Sequence, residues 1–231
     1  MALTIEGLRL RQEGFGFAAD LEVTEGARVA VIGPSGAGKS TLLAAIAGFL
    51  APESGRILWQ GRDITHAPPG ARPVAILFQD NNLFPHLSVA QNVGLGIRPD
   101  LKLSAAQRAQ VEDALERVGL AGMGARRPGT LSGGQQSRAA LARVLVQDRP
   151  VVLLDEPFSA LGPALRNEML DLMATLLGGT GATLLLVSHD PADARRIAEQ
   201  TILVAEGVAH PPRETGALFD DPPEVLRDYL G

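Results

Sequence analysis

Apolar residues along this chain fall into two kinds of run. Val29 to Ile32, Val74 to Phe78, Val151 to Leu154 and Thr183 to Val187 are short and almost unbroken. Runs of that length, bounded by glycine, proline or charged residues, are the pattern of strands buried on both faces. Between them lie segments with helical spacing: Leu42 to Ala47, Ala105 to Val118, a run from Gly133 and Gly134 to about Gln147, Ala164 to Leu177 after Pro163, and Ala192 to Glu199. The second of these opens on Ser104 with Gln107 behind it, a capping box, and carries Val111, Leu115 and Val118 on one face. Residues 3 to 8 and 17 to 23 read as strands joined by the polar, glycine-rich stretch Arg9 to Gly16. Arg56 to Gln60, between the turn Pro52 to Gly55 and Gly61-Arg62-Asp63, reads as a strand in an antiparallel hairpin. Strands at Thr201 to Val204 and near Val208 follow, and Leu218 to Tyr229 is expected as a surface helix beginning near Pro222.

Strands alternating with helices predict an α/β domain whose mainly parallel sheet is covered on both faces. The first third adds an antiparallel β part. Residues 79 to 130 differ in character, rich in Asn, Gly and Pro with one clear helix, and read as a helical insertion. The expectation is therefore a single domain over 1–231, in which about 1–78 and 131–231 form the core and about 79–130 a helical subdomain.

Composition narrows the function classes. The chain has 231 residues, 45% apolar and 20% charged, as in an ordinary globular protein. A net charge of −5 offers no electrostatic attraction for nucleic acid, which is not expected as a partner. With no cysteine, disulfides and thiolate metal sites are excluded. The longest apolar stretches, such as Leu42 to Leu50, fall far short of a bilayer span. No basic start followed by an apolar segment marks a secretory signal. A cytosolic location is expected, with any membrane attachment made through another protein.

The candidate chemistry begins at Gly33-Pro34-Ser35-Gly36-Ala37-Gly38-Lys39-Ser40-Thr41. A strand leads in and a helix leads out, the setting that the pattern G-x-x-x-x-G-K-[ST] requires. Glycines let backbone N–H groups curl around phosphate oxygens, and the helix N-terminus adds its positive dipole end. Lys39 supplies a charge for the outer phosphates and the Ser40 hydroxyl can ligate Mg²⁺. A nucleoside triphosphate site with a place for Mg²⁺ follows, with a P-loop NTPase core as its frame. Asp155 and Glu156 end an apolar strand, where open α/β sheets place their ligands. Such an Asp can hold Mg²⁺ and its neighbour can orient or deprotonate a water, although taken alone the pair also suits a solvated turn. Leu131-Ser132-Gly133-Gly134-Gln135, just before a helix, again offers N–H groups and a hydroxyl to an anion, and alone it also suits a simple helix cap.

In that order along one chain, these elements resemble the ATP-binding subunits of ABC transporters, whose signature loop is the pentapeptide at 131–135. The resemblance covers essentially the whole chain. Gln79, after the strand at 74–78, matches the Q-loop glutamine, and His189, after the strand at 183–187, the switch histidine. It implies two subunits paired head to tail, with ATP between the loop Gly33 to Thr41 of one and Ser132, Gly133, Gly134 and Gln135 of the other. Glu156 would be the general base, His189 would contact the γ-phosphate, and Gln79, with Ser40 and Asp155, would reach Mg²⁺. Partners implied are an integral membrane permease docking near Asp80 to Phe84 and, indirectly, a periplasmic solute-binding protein. The subunit would lie on the cytoplasmic side of the bacterial inner membrane.

Within the family, Phe78 to Gly96 looks most like the ATPase subunit of bacterial thiamine importers, which implies thiamine or a phosphorylated thiamine as solute. An importer for another small solute (iron, a polyamine, a sulfate-like anion) is the alternative. The chain departs from the family pattern at three places. The D-loop ends in Gly162 where an aspartate is usual, Ser159-Ala160-Leu161-Gly162. The signature continues Gln136-Ser137-Arg138 rather than Arg-Gln-Arg. The aromatic residue that stacks on adenine is expected near Arg11 or Gln12, neither of them aromatic, while the nearby Phe15 and Phe17 read as part of the following strand.

Overall fold

The computed structural model describes residues 2–12 and 14–230, without the side chains of Gln12, Asp228 and Leu230, so the expected domain's ends at Met1 and Gly231 lie outside the described residues. The chain opens with β1 (Leu3–Gln12) and β2 (Phe15–Val23), paired antiparallel. Leu8 and Leu10 are buried and Arg9 and Arg11 exposed, so alternation carries β1 past residue 8, and much of the connection expected over Arg9 to Gly16 is strand. β3 (Arg28–Ile32) runs into the loop at 33–38 and α1 (Lys39–Ala47). β4 (Ser54–Trp59) pairs antiparallel with β1 and with β5 (Arg62–Asp63). After β6 (Val74–Leu77) come α2 (Val89–Gly94), α3 (Ala105–Arg117) and α4 (Gly133–Leu145). Then follow β7 (Val151–Asp155), α5 (Pro163–Gly178), β8 (Thr183–Val187), α6 (Pro191–Ile197) and β9 (Gln200–Ala205). The short strands β10 (Val208–Ala209) and β11 (Arg213–Glu214) precede α7 (Thr215–Asp220) and α8 (Glu224–Leu230).

The strands join in one sheet. Its order β9-β3-β8-β7-β6 is parallel throughout, while β5-β4-β1-β2 is antiparallel, and β10 links the two parts by pairing with both β2 and β9. The unbroken apolar strands serve two layers at once. Val151, Leu153, Leu185 and Val187 pack with α1 and the antiparallel part, whereas Val152, Leu154, Leu184 and Leu186 pack with α3, α4 and α5. Period-2 alternation is present, but both faces are apolar, so it is invisible in the sequence.

Two segments differ from expectation. α2 lies inside the stretch 79–130, which was expected to hold one clear helix; Ser88 and Gln91 form its capping box. In the tail, the helix expected to begin near Pro222 is α8, and a second helix, α7, precedes it. Pro222 and Pro223 separate them, since proline lacks an N–H and pushes the preceding residue out of helical geometry. Leu218, Phe219 and Leu226 are buried in a third core cluster with Ile32 and Leu203, so this region seals one face of the sheet.

Arg72 holds α1 in place although no motif announces it. Arg72 is 2% exposed, and its guanidinium donates to the carbonyls of Ala45 (2.7 Å), Ile46 (2.8 Å), Thr65 (2.7 Å) and Ala67 (2.8 Å). Two of these acceptors are in the last turn of α1, where a cation also meets the negative end of the helix dipole. Gly48 ends α1 at φ +89°, and a Cβ there would lie 2.5 Å from the Arg72 Nε. The helix that carries Lys39 and Ser40 is thereby fixed at its far end.

Candidate nucleotide site

The loop between β3 and α1 has the geometry that a phosphate cradle needs. Gly33 adopts φ +145°, and a Cβ on it would stand 1.9 Å from the Val204 carbonyl oxygen. Gly38 is the N-cap of α1 at φ +109°, with Phe17 Cδ2 2.5 Å from the place of a Cβ. Neither position accepts a side chain. No side chain caps α1 at Gly38, so the first-turn N–H groups are free to meet an anion. Lys39, 7% exposed, arches back over the loop, its Nζ donating to the carbonyls of Gly33 (2.8 Å) and Pro34 (2.9 Å). Burial lowers its pKa, opposed by the nearby Glu156 and Asp155.

The parallel pairing of β3, β8, β7 and β6 brings the remaining groups to one edge. Ser40 Oγ lies 3.1 Å from Asp155 Oδ1. Burial raises the Asp155 pKa, an effect that its bond from Ser40 and the nearby Lys39 oppose. Ser40 and Asp155 are a pair of hard oxygen donors, the chemistry that suits Mg²⁺. Glu156, at φ +46°, sits in backbone that only a few per cent of non-glycine residues adopt. Its N–H donates to the Val187 carbonyl at 3.2 Å, its own carbonyl accepts from Ser159 Oγ at 3.0 Å, and its Oε2 is 3.4 Å from His189 Nδ1. That strained turn points the carboxylate at the histidine across the ends of β7 and β8. Leu77 pairs with Leu154, so Gln79 and Glu156 each stand two residues beyond adjacent paired positions. Gln79 is exposed.

Ser132, Gly133, Gly134 and Gln135 lie elsewhere. They cap α4: Ser132 Oγ accepts from the Gln135 N–H at 3.3 Å, and Gln135 Oε1 accepts from the Ser132 N–H at 3.0 Å. Among the described residues they make no hydrogen bond to the loop at 33–41. Ser132 and Gly133 are exposed, and the Ser132 hydroxyl keeps its own proton to donate. Gly134 is packed against α5, with Leu165 Cδ2 2.7 Å from the place of a Cβ.

Sequence reasoning missed the Arg166 cluster and named Phe15 only as a strand residue. Arg166 of α5 is paired with Asp193 and reaches Asp190 Oδ2 at 3.3 Å and Ser188 Oγ at 3.2 Å, while Ser188 Oγ donates to Asp193 at 2.6 Å. This cluster braces both neighbours of His189. Phe15 belongs to β2 as expected, yet its exposed ring also lines a cleft of about 650 Å³ with Pro34, Ser35, Gly36 and Ala37. Arg11 lies exposed on β1, and the Gln12 side chain lies outside the described residues. Phe15 is thus an aromatic face beside the phosphate loop, carried one strand later than anticipated. No local periodicity could have revealed either contact, because both join elements far apart in the chain.

A sheet of this topology, with a phosphate loop and two strand-end carboxylates at one edge, is an ATP-binding cassette, and residues 18–159 match the family described as ABC transporter. The chain belongs to that family and is an ABC-type ATPase. Among its relatives, the thiamine import ATP-binding protein ThiQ of Cereibacter sphaeroides is 62% identical over 229 residues, covering 99% of both chains. Among solved structures, cbiO1 from Clostridium perfringens, part of the ABC transporter complex cbiONQ, superposes with a TM-score of 0.84 at 30% identity, covering 98% of this chain and 93% of that one. An ATP-binding cassette solved as a dimer in a post-hydrolysis state bound to ADP and Pi gives 0.79 at 26% identity, covering 92% and 98%.

Proposed function

We propose that this chain hydrolyses ATP to drive import of thiamine, or a phosphorylated thiamine, through a membrane permease. The observation that carries the reading is the division of the site. Gly33 to Thr41, Asp155, Glu156 and His189 gather at one edge, while Ser132 to Gln135 face elsewhere, so one copy supplies only half of a nucleotide enclosure. A second copy, turned head to tail, completes it: the exposed Ser132 hydroxyl and the α4 N-terminus meet the γ-phosphate held by the partner's loop. The dimeric ADP and Pi-bound relative supports that arrangement, and the name of the Cereibacter sphaeroides relative supports the solute.

Within the closed site, loop N–H groups and Lys39 offset the phosphate charge, and Lys39 exchanges its carbonyl partners for phosphate oxygens. Ser40, Asp155 and Gln79 would hold Mg²⁺, which would further offset charge on the β- and γ-phosphates. Glu156 accepts the proton of the attacking water, and His189 orients against the γ-phosphate from beside it. Phe15 offers its face to the adenine. Residues 79–130 act as the helical subdomain that carries the permease contact at Asp80 to Phe84. No helix among the described residues is long and apolar enough to cross a membrane, and we place the subunit on the cytoplasmic side of the inner membrane through that contact. The test is thiamine uptake in cells lacking the gene, complemented with the native chain or with Lys39→Ala. Uptake restored by the native chain alone is expected; restoration of another solute's uptake but not thiamine's refutes the solute.

A further inference from the structure

His189 has little to hold it. Its side chain is half exposed, its Nδ1 contact to Glu156 is 3.4 Å long, and the Arg166 cluster braces only the residues on either side. Its own carbonyl has one partner among the described residues: the Tyr229 hydroxyl, which donates to it at 2.5 Å. Tyr229 comes from α8, packed onto the sheet through the fully buried Leu226, with Arg227 Nε donating to the Pro222 carbonyl at 2.7 Å. The same Tyr229 lines the cleft that Ser35, Gly36 and Val225 also line. One side chain therefore touches the wall of the nucleotide cleft and the backbone of the switch loop.

We propose that Tyr229 is a positioning residue for ATP hydrolysis: its hydroxyl anchors the His189 carbonyl and so sets the imidazole against Glu156 and the γ-phosphate, while its ring forms a wall of the cleft. The inference rests on the catalytic reading of His189. It assigns different tasks to the two ends of one side chain, and they separate experimentally. A hydroxyl-to-carbonyl bond is worth enough to shift an equilibrium of loop positions about threefold to tenfold. Removing the hydroxyl alone should therefore lower turnover and leave nucleotide affinity in place. Removing the ring should disturb both.

The experiment measures ATP hydrolysis by the full chain under single-turnover conditions for the native protein, Tyr229→Phe, Tyr229→Ala, His189→Ala and the double variant Tyr229→Phe/His189→Ala. Tyr229→Phe is expected to lower the rate about threefold to tenfold, with the ATP concentration for half-saturation within about twofold and the melting temperature within about 2 °C. Tyr229→Ala should lower the rate at least as far and also weaken ATP binding. In the His189→Ala background the Phe change should cost nothing further, because the group it positions is gone. A native rate for Tyr229→Phe, or an additive loss in the double variant, overturns the proposal while the role of His189 stands. A native rate for His189→Ala overturns both.

Discussion

Gly162 is where the chain departs most sharply from its family, and the structure states what an aspartate would meet there. Gly162 is the N-cap of α5, at φ −63° and ψ 156°, ordinary extended backbone for any L-residue. No atom lies within 4 Å of the place of its Cβ. The glycine is therefore required neither by conformation nor by space. No side chain caps α5, although the Gly162 carbonyl already accepts the Arg166 N–H at 2.9 Å. In Gly162→Asp, the carboxylate would accept a first-turn N–H and meet the positive end of the dipole. A glycine cap is only a few tenths of a kcal/mol worse than an aspartate one, so that part gains about 0.3 kcal/mol. Reduced freedom of the unfolded chain adds about 0.4–1 kcal/mol.

The total, about 1 kcal/mol, should raise the melting temperature by about 2–4 °C in a chain of this size. Differential scanning fluorimetry reads that shift, and steady-state ATPase against ATP concentration reads the function. If a cross-dimer carboxylate is what the site lacks, turnover or its cooperativity rises as well. A higher melting temperature with unchanged kinetics would confine the substitution to stability. A lower melting temperature would refute the reasoning, because it would mean that the loop before α5 needs the glycine.

Glu156→Gln keeps the side chain's shape but cannot accept a proton, so hydrolysis should fall about 10²–10⁴-fold, and size-exclusion chromatography should show a dimer that persists with ATP; normal turnover would assign the base elsewhere. Arg72→Met strips the donors from four carbonyls, three of those bonds buried, and urea denaturation should show a loss of about 3 kcal/mol or more, whereas a loss under about 1 kcal/mol would refute its role in fixing α1. Phe84 is 47% exposed while Leu83 packs against the second core cluster, so the two should behave oppositely. Phe84→Ser should abolish co-purification with the permease at an unchanged melting temperature, and Leu83→Ser should lower the melting temperature; the reverse pattern would move the docking site.

Much of the site was legible because phosphate chemistry demands it locally. Gly33, Gly38 and Lys39 lie within a few residues of one another, and their conformations follow from a single loop. The order of strands and helices was legible for a similar reason, since unbroken runs such as Val151 to Leu154 can be buried on both faces only in a covered sheet. The helix at Val89–Gly94 carried a readable Ser88 and Gln91 capping box, but its short length in a loop-like stretch masked it. Arg72, Arg166 and Tyr229 left no trace in any local pattern, and Phe15 was visible only as a strand residue. Each acts on a residue far along the chain, and the register of distant strands decides which residues it meets. The same holds for the tail: its apolar positions were visible, but the face of the sheet that they cover was not.

The segment after Gln79 shows how such distant contacts join the two halves of the machine. Asn81 and Asn82 are consecutive left-handed residues, at φ +54° and +47°, a conformation that asparagine tolerates better than most residues but that persists only where surroundings enforce it. Arg143 of α4 provides that enforcement, donating to the carbonyls of Asn81 at 2.6 Å and Asn82 at 2.7 Å. From the same helix Ser137 Oγ accepts from Asn81 Nδ2 at 3.3 Å. On the other side, Asn92 of α2 accepts from the Phe84 N–H at 2.7 Å and donates to the Phe84 carbonyl at 3.1 Å. The loop is thus clamped at both ends to helices that pack on each other. Ser132 caps the N-terminus of α4, about 16 Å up the helix axis from Arg143 at 1.5 Å per residue. A packed helix does not compress over that length. The segment Asn81 to Phe84 is therefore tied through one continuous helix to the exposed loop at Ser132 and Gly133.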